Sequence, residues 1–263
     1  MGEITVITGG ASGLGAACAV RMAQEGAEIW LLDQNVSGVV EIEEQITKIG
    51  GTAHSLQIDV ADAAAMEEAS VKINKDSGTP SALVTAAGII ESISTILDAD
   101  LSAHDRLWDI NYGGTLNSCR SFGRLMREAG KGAIVTFGSV NSYAALPLPA
   151  YCPSKTAILR LVEMLSVELG RYGVRVNGVA PTYILTPGLQ EKVNAGERSI
   201  DAMLKVNALK RMITPEDVAD VVAFLLSDAA RAVTGHMMPV DAGFVPTATF
   251  ATFAGGQPWD DEK

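Results

Sequence analysis

A chain of 263 residues with 48 % hydrophobic and 19 % charged side chains has an ordinary globular composition and enough apolar mass for a substantial core. With 31 acidic against 20 basic residues, the formal net charge of −11 opposes nucleic acid and anionic lipid surfaces alike. No apolar run approaches the roughly 18 residues needed to cross a bilayer, and the opening Met1-Gly2-Glu3-Ile4-Thr5-Val6 carries no basic leader, so a soluble cytoplasmic protein is expected.

In chain order, short β-branched runs near 3–8, 27–32, 53–58, 81–86, 132–138, 174–179 and 236–240 alternate with helical stretches. That rhythm predicts a single-domain α/β protein, a doubly wound parallel sheet of about seven strands with helices on both faces. Residues 1–243 form this unit and 244–263 a tail. After the first strand, Gly9, Gly13 and Gly15, with Ser12 and Leu14 between them, stand where a helix begins. Side-chain-free positions there let backbone N–H groups approach a pyrophosphate. The second strand ends in Asp33, close to the offset at which a carboxylate meets an adenosine ribose diol. A turn carboxylate is the alternative reading of Asp33. No Arg or Lys occurs at 9–15 or 33–40, so the expected cofactor is NAD and not NADP. Asp59-Val60 closes the third strand and is placed to hold an adenine edge, with a turn or capping role as the alternative; Asp62 reads as the cap of the next helix. Ala86-Ala87-Gly88 closes the fourth strand with small residues, suited to close backbone approach to a ligand.

Asn111 lies in a helix-like stretch although it is a poor interior helix former, which points either to function or to a locally satisfied kink. Ser139 follows the strand 132–138, at the carboxyl end of the sheet. Tyr151 and Lys155 share one helix face at (i, i+4), and Pro153 puts both in the first turn, at the positive end of the helix dipole. Bringing a phenol from its usual pKa near 10 towards neutrality takes roughly 4 kcal/mol of anion stabilisation. The adjacent ammonium and helix end are expected to supply it, which makes Tyr151 a candidate acid/base. Cys18, Cys119 and Cys152 cannot all pair and lack a C-x-x-C spacing, so free thiols in a reducing compartment are expected, Cys152 as a small buried one. His54, His104 and His236 are scattered, and no metal is expected. Residues 182–212, with Pro187, Gly188 and Gly196 among helical fragments, resemble a mobile lid. An apolar pocket wall is expected from Val140, Ala145, Leu146, Leu148, Tyr183, Leu185, Leu189 and Met203. Lys192, Arg198, Lys205, Lys210 and Arg211 cluster around the lid, as an anion site or a solvated face. The tail reads as irregular, its Phe244, Phe250, Phe253 and Trp259 suggesting docking on its own or a neighbouring subunit.

Taken together, the spacing Gly9-x-x-x-Gly13-x-Gly15, Asp33, Asp59, Ala86-Ala87-Gly88, Asn111, Ser139 and Tyr151-x-x-x-Lys155 resembles the short-chain dehydrogenase/reductase family over nearly the whole chain, from residue 4 to about 243. The resemblance implies a Rossmann-type sheet of seven parallel strands, a nicotinamide cofactor and a homotetramer. By this resemblance Tyr151 exchanges the substrate proton, Lys155 binds the nicotinamide ribose and lowers the tyrosine pKa, Ser139 hydrogen-bonds the substrate oxygen, and Asn111 holds a relay water. Ile184 and Thr186 match lid positions that contact the nicotinamide, and Pro181 precedes them in the same segment. Two departures stand out: Thr85 replaces the usual Asn before Ala86, and Pro181-Thr182 replaces a Pro-Gly pair. The expected activity is reversible hydride transfer between NAD and a small, mainly apolar secondary alcohol or ketone, aryl or alicyclic in type. The alternatives are a 3-oxoacyl-thioester reductase and, in another class, a non-catalytic NAD-sensing scaffold. A tetramer is also expected from the apolar Ile158, Leu159, Leu161, Val162, Leu165 and Leu169 of the helix 153–170.

Overall fold

Seven short runs, largely buried except for the two at the edges of the sheet, become strands in the computed structural model, which describes residues 3–252 and 254. They are β1 (Ile4–Thr8), β2 (Glu28–Asp33), β3 (Thr52–Gln57), β4 (Ala82–Thr85), β5 (Gly132–Phe137), β6 (Val174–Pro181) and β7 (Met237–Val240). All pair in parallel, in the order β3-β2-β1-β4-β5-β6-β7. Side chains alternate between faces along a strand, so β1 sends Ile4 and Val6 into one core and Ile7 into the other. The core that receives Ile7 is closed by α1 (Gly13–Gln24), α2 (Val36–Lys48) and α9 (Pro215–Leu226), through Cys18, Ile42 and Val222 among others. The core that receives Ile4 and Val6 is closed by α3 (Ala63–Asp76), α5 (Gly114–Ala129) and α6 (Tyr151–Gly170), through Met66, Phe122 and Ile158. Each fully buried side chain of this size contributes roughly 2 kcal/mol by leaving water.

The position of the site follows from the strand order. From β1 the chain moves outward to β3, then returns past β1 to β4, so the crossovers on either side of the β1–β4 pair leave in opposite directions. Their connections part at the carboxyl ends of the two strands, which opens a crevice there.

Between β4 and α5 lie α4 (Leu101–Trp108) and a π-helical turn, Asp109–Gly113. The segment 182–212 carries two short helices, α7 (Pro187–Asn194) and α8 (Ile200–Lys205), and Ile184 bridges to Ile213. The tail differs from its irregular reading: it opens with α10 (Phe244–Phe250), whose Phe244 is buried with its ring edge-on to Tyr183 at 6.3 Å. Phe253 and Trp259 lie outside the described residues. On α6, Ile158, Leu161, Val162 and Leu169 are buried within the chain itself, so they leave nothing for a partner; its apolar residues on the surface are Met164 and Val167, 56 % and 77 % exposed. All three cysteines are free and buried, and burial pushes the Cys18 and Cys119 thiols up to about 12, which leaves them unreactive. Among the described residues no helix is long and apolar enough to cross a membrane, and no cluster of His, Cys, Asp or Glu could hold a metal.

Candidate active site

A cleft of about 740 Å³ runs along the carboxyl ends of the strands. One end is built by the glycine turn. Gly9 has φ +70°, and a Cβ there would stand 2.5 Å from the Ala87 nitrogen, so no side chain fits between the β1 turn and the end of β4. Gly13, at φ +55°, opens α1 with nothing within 4 Å of a notional Cβ. Ser12, the residue before it, makes no side-chain cap, so the first-turn N–H groups of α1 face the cleft uncapped. This is the cradle a pyrophosphate requires.

Asp33 lines the same end, and its turn reading is realised. Its Oδ2 accepts from the Ala11 N–H at 3.0 Å and its Oδ1 from the Asn35 N–H at 2.9 Å, which ties the glycine turn to β2. For Asp59 the turn role is realised: Oδ1 accepts from the Ala61 N–H at 2.9 Å, and Oδ2 receives the Arg106 guanidinium at 2.8 Å. Burial raises its pKa, but the Ala61 N–H and Arg106 outweigh that and hold the carboxyl below its usual range. Asp62 caps α3 as expected, accepting from Ala64 and Ala65. Thr85, in the place of the family's usual Asn, has a buried hydroxyl with no partner among the described residues.

Asn111 sits fully buried in the π turn, where its side chain reads out of the helix to clamp the backbone of Ile89. Its Oδ1 accepts from Ile89 N–H at 2.8 Å, and its Nδ2 donates to Ile89 O at 2.9 Å. The kink is therefore a means of holding the loop after β4. Asn111 itself does not line the cleft; Ile89 and Ile90 do.

At the other end stand Ser139, Tyr151 and Lys155, all lining the cleft. The Ser139 hydroxyl donates to Asn141 Oδ1 at 2.9 Å and accepts from the Asn141 N–H at 3.2 Å. Lys155 is anchored from two directions: its carbonyl accepts from Ser142 Oγ at 2.7 Å, and its Nζ donates to Phe137 O at 2.7 Å. That Nζ lies 5.4 Å from the centre of the Tyr151 ring. The ionisation of the pair differs from the lowered phenol expected. Burial pushes the Tyr151 pKa up; its bond with Ser139 pulls it back only in part, and the Cys152 thiol adds a further push upward. Burial likewise brings the Lys155 ammonium down to about 8. Desolvation, invisible in spacing, outweighs the favourable neighbour.

The fifteen residues expected to bind cofactor, from Gly9 to Thr186, all line this one cleft. The pocket wall is less well matched. Tyr183 and Leu189 line it, whereas Val140, Ala145, Leu146, Leu148, Leu185 and Met203 do not; Val140 and Met203 are core residues. Ile58, Ile89, Ile90 and Ile110 take their place. The signal for Ile89 and Ile90 was their position directly after Ala86-Ala87-Gly88. The basic cluster divides: Lys192 and Arg198 line the cleft, while Arg211 pairs with Asp217 at 2.6 Å and the Lys210 ammonium donates to the Leu204 and Lys205 carbonyls.

Comparison with known proteins agrees with this arrangement. A family model described as enoyl-(acyl carrier protein) reductase matches residues 9–245. The D-threitol dehydrogenase of Mycolicibacterium smegmatis is 35 % identical over 92 % of this chain and 93 % of its own. A cyclopentanol dehydrogenase of Comamonas testosteroni is 33 % identical over 92 % and 96 %. Among solved structures, a 3-oxoacyl-[acyl-carrier protein] reductase with bound NAD from Brucella melitensis superimposes with a TM-score of 0.83 at 30 % identity, covering 92 % of this chain and 91 % of that one. The chain belongs to the short-chain dehydrogenase/reductase family, as an oxidoreductase of its alcohol dehydrogenase type.

Proposed function

We propose that the protein is a cytoplasmic, NAD-dependent dehydrogenase that interconverts a small, mainly apolar secondary alcohol, aryl or alicyclic, and its ketone. The observation that carries this reading is the meeting of Ser139, Tyr151 and Lys155 at one end of a cleft whose other end is an uncapped glycine turn beside Asp33. Gly9 to Gly15 fit the pyrophosphate, Asp33 the adenosine ribose, and Lys155 with Pro181, Ile184 and Thr186 the nicotinamide half. Nicotinamide held there supplies the hydride chemistry. In ketone reduction Tyr151 gives its phenolic proton to the substrate oxygen; in alcohol oxidation it takes that proton back. Ser139 donates to the same oxygen as charge develops on it by turning its single hydroxyl proton away from Asn141 Oδ1, while the Asn141 N–H keeps hold of the Ser139 oxygen. The Lys155 ammonium opposes the desolvation that disfavours the phenolate. Ile89, Ile90, Tyr183 and Leu189 give the substrate an apolar wall, which favours a ring over a polyol. Residues 182–212 serve as the lid over this site, on a single domain spanning 1–243.

The test is NADH oxidation across a panel of cyclic, aryl and short-chain ketones with an acetoacetyl thioester included. Fastest turnover of a cyclic or aryl ketone is expected. Fastest turnover of the thioester would favour the reading as a 3-oxoacyl-thioester reductase, for which the exposed Lys192 and Arg198 at the cleft rim speak.

Asp33 is expected to decide the cofactor. A 2′-phosphate beside that carboxylate meets like charge, a cost of a few kcal/mol. Asp33→Ser should lower the ratio of kcat/KM for NAD over NADP by about 10²-fold; an unchanged ratio would place discrimination elsewhere. Assembly as a homotetramer is supported by apolar side chains left on the surface: Met164 and Val167 on α6, Ile96 and Leu97 before α4, and Leu101 at its start. Sedimentation should find a particle of four 27.5 kDa chains, and a monomer would refute it.

A further inference from the structure

The helix that carries Tyr151 begins without a cap of its own. Its N-cap residue is Ala150, which has no side chain able to accept a hydrogen bond. The first N–H groups of any helix lack intrahelical partners, and here two of them are taken by a residue far away in sequence. Glu91, in the loop after β4, accepts through one carboxylate oxygen from the Ala150 N–H at 2.7 Å and from the Tyr151 N–H at 2.8 Å. A carboxylate suits this place, because it complements the positive end of the helix and makes the stronger, charge-assisted form of the bond.

The same loop is held from its other side. Ile89, two residues before Glu91, has both its N–H and its carbonyl bound by the Asn111 side chain. Ile89 and Ile90 line the cleft opposite the catalytic helix. Further along, the Ser94 N–H reaches Pro147 O at 3.4 Å, close to the start of α6. The three residues 89–91 thus connect the buried π turn to the backbone nitrogen of Tyr151 itself.

We propose that Glu91 is a positioning residue for the reaction: by holding the Ala150 and Tyr151 N–H groups it fixes the phenol of Tyr151 relative to the apolar wall of Ile89 and Ile90. This rests on the reading of Tyr151 as the acid/base. Misplacement of a reacting group by about 1 Å costs on the order of 10²-fold in rate, so a cap that sets the Tyr151 backbone acts on turnover more than on cofactor binding. The glycine turn and Asp33, which grip the other half of the cleft, make no contact with Glu91.

Two substitutions and one measurement on the unaltered enzyme test this. Glu91→Met keeps the length of the side chain without a strong acceptor, and Glu91→Gln keeps a carbonyl that can accept both N–H groups. With NADH and the ketone turned over fastest in the panel, Glu91→Met should lower kcat by roughly 30- to 100-fold while the NADH dissociation constant stays within about twofold. Glu91→Gln should recover kcat to within about threefold of the parent. Unchanged kcat in Glu91→Met, equal loss in both variants, or a parallel loss of NADH binding would overturn the proposal. Amide hydrogen exchange needs neither a variant that folds nor a substrate. In the unaltered enzyme the Ala150 and Tyr151 amides should exchange at least about 10²-fold more slowly than unbonded first-turn amides, and exchange at the unprotected rate would overturn it. Slow exchange alongside full activity of Tyr151→Phe would leave the Glu91 contact intact and strike the acid/base reading instead.

Discussion

Tyr151→Phe is expected to lower turnover by about 10³- to 10⁴-fold with NADH affinity unchanged, at the upper end of what general acid–base catalysis contributes. The substitution keeps the ring that Lys155 overlies at 5.4 Å and removes one oxygen, the atom in contact with Ser139. Steady-state kinetics beside NADH fluorescence titration checks both halves, and preserved turnover would remove the acid/base assignment. The pH dependence carries a sign. Burial first of all raises the phenol pKa, so at neutral pH the protonated form dominates. Ketone reduction, which consumes that proton, should be level through neutrality and fall only on the alkaline side. Alcohol oxidation needs the phenolate and should rise with pH across the same range. Profiles of kcat/KM in the two directions show whether this opposition exists; parallel profiles would contradict it.

Lys155→Met should lose turnover by about 10²-fold or more and yet gain stability at pH 7. Lys155 is 5 % exposed, and burial brings its pKa from 10.5 to about 8. That difference corresponds to about 3 kcal/mol of cost to the folded state when the lysine is charged. Because the folded pKa lies below the unfolded one, the unfolded chain binds more protons between pH 8 and 10.5, and stability from this group rises with pH across that window. Below pH 8 the cost is complete. Methionine removes it but leaves Phe137 O without its donor, which returns about 1–2 kcal/mol. A net gain of about 1–2 kcal/mol at pH 7 is expected, a rise in Tm of roughly 3–6 °C. By pH 10.5 the charge cost is nearly gone while the lost carbonyl bond remains, so the gain should reverse into a loss of about 1 kcal/mol. Thermal unfolding at the two pH values decides it, and a destabilised variant at pH 7 would show that the Phe137 carbonyl bond outweighs the buried charge. A measured gain of that kind would support the proposal that Lys155 is held for chemistry.

The strands could be read from the chain to within one or two residues because parallel strands covered on both faces must be almost wholly apolar and β-branched, and few other elements look so. Val174–Pro181 was read short at 179 because its end lines the cleft, where core composition no longer governs. The glycine turn, Asp33, Ser139 and Tyr151-x-x-x-Lys155 were legible because each is a backbone or spacing requirement. What stayed hidden depends on approach in space. Glu91 meets Tyr151 across 60 residues, and nothing local marks it. The exchange of Val140 and Met203 for Ile89 and Ile90 in the cleft wall is a matter of which loop folds inward. The direction of the Tyr151 shift was misjudged for the same reason: two groups four residues apart announce their attraction, whereas the desolvation opposing it belongs to the finished interior. Lys192 and Arg198 parted from Lys210 and Arg211 because Asp217 and two carbonyls claim the latter pair.

The placing of β1 between β2 and β4 has a consequence for how the molecule comes together. Pairing of β1 with β2 closes a short stretch of chain around one helix, but pairing with β4 must wait for a contact spanning 77 residues, between Ile4 and Ser81. Such distant closure is slow. The crevice exists only once those two banks have joined, so a dinucleotide that touches both binds the native state and not its precursors. At a hundred times its dissociation constant, a ligand of that kind adds about 2.7 kcal/mol to the native state. A coenzyme held across both banks would thus also clasp the sheet, and its supply would set how much of the enzyme survives as well as how fast it works.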